Sequence, residues 1–224
     1  MKRTTLVTLV VALVLIVDQV TKIWVKTQMP YGSEFPILGI EWARFKFIEN
    51  PGMAFGWELG GEGNGYGKLA LSLFRIVAVT FLVYFIRQLI RQRAKPGMLV
   101  CFALILAGAV GNIIDSAFYG LIFSESGYHS YDPATLFPPE GGYAPFLYGK
   151  VVDMLYFPML QGVFPSWVPV WGNQPYLFFR PVFNVADAAI SVGMFAMLLF
   201  YRDFFRQEVH SASVAENAKA DVVR

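Results

Sequence analysis

The chain has 224 residues, of which 56% are hydrophobic and only 15% charged, and its formal net charge is +2. Soluble domains carry about 25% charged residues, so this composition belongs to the membrane class and offers no basic surface for nucleic acid. A single cysteine, Cys101, and two distant histidines, His129 and His210, exclude a disulfide framework and HExxH-type metal sites. No metal or other cofactor is therefore expected, and any chemistry falls to carboxylates, amides, hydroxyls or lysines.

A membrane-spanning helix needs about 20 mostly apolar residues, and four segments qualify, at about 4–25, 69–90, 97–121 and 179–201. The first opens with Lys2 and Arg3 but runs on through Asp18 and Lys22 to Trp24 without a small-residue cleavage site, so it reads as a retained helix and not a removed signal. In the following segment, 26–68, the alternation from Glu41 to Ile48 predicts a short strand, and the run Gly60 to Gly65 a flexible turn. Arg87, Arg91, Arg93 and Lys95 join the second span to the third, and Pro138, Pro139, Gly141 and Gly142 break up the long segment 122–178. Arg202 and Arg206 close the fourth span, and the polar tail 207–224 is expected to be disordered. Lysine and arginine bias puts all three basic groups on one side, with both termini cytoplasmic and the loops 26–68 and 122–178 outside. Lys150, Arg180 and the tryptophans Trp24, Trp42, Trp57, Trp167 and Trp171 are most simply interfacial anchors.

Ionisable residues inside spans are costly and mark function by default. Here they share a depth: Asp18 lies 15 residues after Arg3, Asn112 lies 15 after Gly97, and Asp187 lies 15 before Arg202. At 1.5 Å per residue each sits about 22 Å from the cytoplasmic boundary. Asn112 with Asp115 and Asn184 with Asp187 repeat an Asn-x-x-Asp pattern, in which the amide is expected to donate to the carboxylate three residues on. Gly108, Ala109, Gly111, Ala186, Ala188 and Ala189 surround these positions and allow close helix approach. Asp153, in a short apolar run of the second loop, is placed to descend onto the same layer.

Five motifs, in this order on four spans, resemble the lipoprotein signal peptidase (signal peptidase II) family. They are Asp18-Gln19-x-x-Lys22, Asn50-Pro51-Gly52-Met53-Ala54-Phe55-Gly56, the stretch Ala107 to Asp115, Val151-Val152-Asp153, and Phe183-Asn184-Val185-Ala186-Asp187. The resemblance implies an all-α membrane protein, a four-transmembrane-helix bundle with a small extracytoplasmic β-cradle and a long outer loop. One membrane peptidase domain would then fill 1–206. It implies an aspartic endopeptidase of the bacterial inner membrane that removes signal peptides from diacylglyceryl-modified prolipoproteins. The partners expected are those substrates and membrane lipids, with the enzyme a monomer. The catalytic aspartates fall on Asp153 and Asp187, while Asp18, Lys22, Asn50, Gly52, Asn112, Asp115 and Asn184 line and order the site. Ser116 stands where the family carries arginine, which leaves Asp115 to Lys22 or a backbone amide, and the loop from Leu121 to Lys150 exceeds the family's short link.

Two aspartates hydrolyse a peptide by sharing one proton around a water. Simpler roles compete at several positions: an ion pair for Asp18 with Lys22, helix-to-helix hydrogen bonds for Asn112 and Asn184, and a turn for Asn50-Pro51-Gly52. A small proton-coupled transporter would show repeats and broken helices near the midplane, and a non-catalytic membrane scaffold would not require Asp153. A Ser–Lys protease with Lys22 as base has only Ser116 or Ser191 at the right depth.

Overall fold

A computed structural model describes residues 1–51, 65–127, 132–178 and 180–202. Gly52, Trp57, the glycine run up to Asn64, His129, Arg206, His210 and the tail 207–224 lie outside the described residues.

Among the described residues, three helices are long and apolar enough to cross a membrane: α1 (Arg3–Gln28), α2 (Gly65–Arg91) and α3 (Pro96–Ile114) with its continuation to Ile122. Pro96 opens α3 from the first turn, where its missing N–H costs nothing. Past Ile114 the helix widens into a π-turn (Asp115–Tyr119) and ends in a single turn, α4 (Gly120–Ile122). The last described helix, α5 (Val185–Phe200), is apolar but only 16 residues long, about 24 Å of helix. α3 packs against α1, α2 and α5. Its glycines set the distance: Gly108 lies directly on the Ala186 backbone, and a Cβ added at Gly111 would stand 2.7 Å from Asp18 Oδ2.

The span expected from 179 begins only at Val185. Val182 and Phe183 form a strand instead, and Asn184 starts the helix with a capping box to Asp187. Asp187 therefore sits in the first turn of α5 and not along a continuous span.

The strand expected over 41–48 is part of a hairpin of β1 (Glu34–Ile37) and β2 (Ile40–Asn50). Its two-residue turn places Leu38 and Gly39 at φ 51° and 78°, the left-handed geometry that matches strand twist. With β3 (Val151–Tyr156) and β6 (Val182–Phe183) these strands form an antiparallel sheet of order β1-β2-β3-β6. A separate hairpin, β4 (Leu160–Val163) and β5 (Pro175–Phe178), stands between β3 and β6 and exposes Trp167, Val170 and Trp171 near its tip.

Two apolar cores result. One lies among the helices around Leu89, Leu99, Ala103 and Met197. The other joins the sheet to the ends of α1 and α3 through Val25, Phe47, Tyr119, Phe123, Val152 and Met154. The long loop after α4 folds back onto this second core: Ala144 N donates to Gly120 O (2.9 Å), Gly149 N to Ser116 O (2.8 Å) and Ala134 N to Lys26 O (3.0 Å). It forms a collar around the end of α3 and α1.

Candidate active site

The layer begins with a lysine in the wrong solvent. Lys22 is fully buried, and its Nζ lies 2.9 Å from Asp18 and 2.8 Å from Asp115. It also donates to Asn112 Oδ1 at 3.0 Å. The i,i+4 spacing brings Asp18 and Lys22 together within α1, and Asp115 arrives from the π-turn of α3. A buried ion persists only when charge and hydrogen bonds are both supplied, and here they are. Asp18 Oδ1 accepts from Ala186 N (2.8 Å) at the start of α5, which ties α1 to the capped helix end. Asp115 accepts from Gln19 Nε2 (2.9 Å) and Val152 N (3.3 Å). Lys22 and a backbone amide thus both serve Asp115.

The second half of the layer contains Asp153 and Asp187, held by amides. β3 carries Asp153 opposite Ile48 of β2, and it is 4% exposed. Asn184 Nδ2 donates to its Oδ1 (2.8 Å) and Asn50 Nδ2 to its Oδ2 (3.3 Å). Asn112 Nδ2 donates to Asp187 Oδ1 at 2.8 Å, and Asn184 N to Asp187 Oδ2 at 3.4 Å. Burial first, and then the charge of Asp187, push the Asp153 carboxyl up from its ordinary range to about 7.

The pairing expected inside each Asn-x-x-Asp pattern does not form. Asn184 is the N-cap of α5, so its side-chain oxygen accepts from Asp187 N (2.8 Å) and its amide turns away to Asp153. Asn112 likewise donates across to α5 and not to Asp115. The amides therefore cross-link elements instead of bracing their own helix. Of the residues singled out in the sequence, Asp18, Lys22, Asn50, Asn112, Asp115, Asp153, Asn184 and Asp187 form one connected network. Gly52 lies outside the described residues.

Two features escape the sequence reading. A second buried ion pair, Lys26 with Glu49, lies under the collar, where Lys26 Nζ also donates to Ser126 Oγ (2.9 Å). Arg75 reaches in from α2, its Nη1 donating to Ser116 Oγ at 3.4 Å. A lone arginine between Phe74 and Ile76 in an apolar run was the signal available for it.

The family model described as signal peptidase (SPase) II matches residues 10–203. The lipoprotein signal peptidase of Porphyromonas gingivalis is 52% identical over 192 residues, 85% of this chain and 80% of that protein. The protein of the same name from Amoebophilus asiaticus is 34% identical over 214 residues, 94% of this chain and 84% of that protein. A solved bacterial membrane enzyme shares the fold at a TM-score of 0.56 and 22% identity, with 88% of each chain covered.

Proposed function

The chain belongs to the signal peptidase II family, and from that premise we propose that it is an aspartic endopeptidase with Asp153 and Asp187 as its catalytic pair. Its reaction is the removal of signal peptides from diacylglyceryl-modified prolipoproteins in a bacterial inner membrane. The observation that carries the dyad is the contrast in partners: Lys22 contacts Asp18 and Asp115, while Asn50, Asn112 and Asn184 hold Asp153 and Asp187. An amide positions a carboxyl oxygen without fixing its protonation state. Asp153, with its carboxyl pushed up to about 7, is the member that carries the shared proton near neutrality, and the pair titrates as a unit. Asp187 then takes a proton from the attacking water, while Asp153 polarises the scissile carbonyl and passes its proton toward the leaving amine.

The rest of the reading follows the same division. Residues 1–206 act as one monomeric domain in which α5 is a fourth, short span entering beside the sheet. The hairpin β1–β2 with β3 forms the outer cradle, and both termini and the Arg91–Lys95 turn are cytoplasmic. Membrane lipids are the other expected partner.

Purified protein should cleave a diacylglyceryl-modified precursor in the presence of EDTA and leave the unmodified precursor intact. No cleavage, or cleavage that requires added zinc, would overturn the aspartic reading. For orientation, Glu140→Cys in a Cys101→Ala background should react with an impermeant maleimide in intact cells. Gln92→Cys should react only after permeabilisation. The reverse labelling would place the site at the wrong face.

A further inference from the structure

Arg75 is a cation in the middle of an apolar helix, within Leu73-Phe74-Arg75-Ile76-Val77, and such a charge is retained at a cost unless it meets an anion or a polar lining. Its guanidinium turns inward to α3, where Nη1 donates to Ser116 Oγ at 3.4 Å. Ser116 is buried and donates in turn to Asn112 O at 3.0 Å, so the serine is a small polar seat one turn from the amide that holds Asp187. From that seat the guanidinium is linked to Asp187 through Ser116 and Asn112, residues one turn apart on the same side of α3.

The charge balance gives this placement a purpose. Asp18 and Asp115 share Lys22, which contacts both within 2.9 Å. Asp153 and Asp187 face the asparagines from β3 and α5, and one of the two must be ionised to activate water. Amides donate hydrogen bonds to that carboxylate but bring no net charge. A guanidinium, charged at every physiological pH, supplies it.

We propose that Arg75 is a positioning residue for the reaction: seated on Ser116, its charge keeps one carboxylate of the Asp153–Asp187 pair ionised at neutral pH. This rests on the dyad reading. The small side chain of Ser116 leaves room for the guanidinium against α3.

The test uses the full-length enzyme in detergent with a diacylglyceryl-modified peptide, and three variants: Arg75→Gln, Arg75→Lys, and Arg75→Gln combined with Ser116→Arg. The groups facing the pair, Lys22 and Asp18 from α1 and Asp115 from the π-turn, stay unchanged in all three. Arg75→Gln should move the acid limb of the kcat profile up by about one pH unit, lowering kcat about tenfold on that limb, with KM within about twofold. Arg75→Lys should keep the wild-type limb, and Ser116→Arg should restore both limb and rate to Arg75→Gln. An unmoved acid limb in folded Arg75→Gln, a loss confined to KM, or a folded double variant no better than Arg75→Gln would overturn the inference. Should Arg75→Gln fail to fold, a folded double variant with the wild-type limb supports it and one with a raised limb overturns it. A double variant that also fails to fold overturns it as well, because a guanidinium at position 116 would then not substitute for Arg75. Activity retained by Asp153→Asn or Asp187→Asn would instead remove the dyad reading itself.

Discussion

Four aspartates share one hydrogen-bonded layer, yet the two halves of that layer are built differently. Asp18 and Asp115 close on Lys22 from two helices, with Gln19 and backbone amides completing their shells. Asp153 and Asp187 meet the side-chain amides of Asn50, Asn112 and Asn184. A lysine brings a charge to its two carboxylates and ties α1 to α3; an amide fixes position and brings no charge. Burial alone does not mark a catalytic acid. What its partners permit does, and on that ground the proposed dyad is the half without the lysine.

The comparison breaks most visibly at Lys22. Lys22→Met leaves two buried carboxylates without their cation, and such a loss costs about 3–5 kcal/mol. A thermal midpoint equal to that of the wild type would show that the ion cluster does not hold the helices together.

The amide half should respond in the opposite sense. Asp153 has its carboxyl raised to about 7 in the folded chain from 3.8, so the stability it contributes is complete below about pH 4 and lost as pH rises through about 7. Asp153→Asn removes that loss, and the variant should gain roughly 2–4 kcal/mol on the wild type between pH 4 and pH 8. Unfolding midpoints of both proteins across that range check it, and a constant difference would contradict the raised carboxyl.

The smallest effect sharpens the geometry. A Cβ at Gly111 would meet Asp18 Oδ2 at 2.7 Å, so Gly111→Ala should force α1 and α3 apart at a cost of about 1–3 kcal/mol. A stability unchanged within error would mean that the helices have room to spare at this layer.

Much of this was legible in the sequence because hydropathy and spacing are local. The first three helices, the alternation of β2 and the i,i+4 pair of Asp18 with Lys22 all follow from near neighbours. The partners did not follow. Asn184 carries the same pattern as Asn112, but a cap and a helix interior aim an amide in different directions, and only the pairing of Val182 and Phe183 with β3 decides which applies. That pairing also shortens the fourth helix. Arg75 stood in plain view as a charge in an apolar run, but which helix it faced depended on how α2 packs against α3.

One paired measurement decides whether the layer divides into a charge-paired half and a catalytic half. Asp18→Asn, Asp115→Asn, Asp153→Asn and Asp187→Asn would each be purified, and the same preparation would give a thermal midpoint at neutral pH and a single-turnover cleavage rate. Asp153→Asn and Asp187→Asn should lose at least about 100-fold in rate without a lowered midpoint. Asp18→Asn and Asp115→Asn should show a lowered midpoint with substantial cleavage by the molecules that remain folded. Substantial turnover by Asp153→Asn or Asp187→Asn, or midpoints that fall equally in all four variants, would contradict that division.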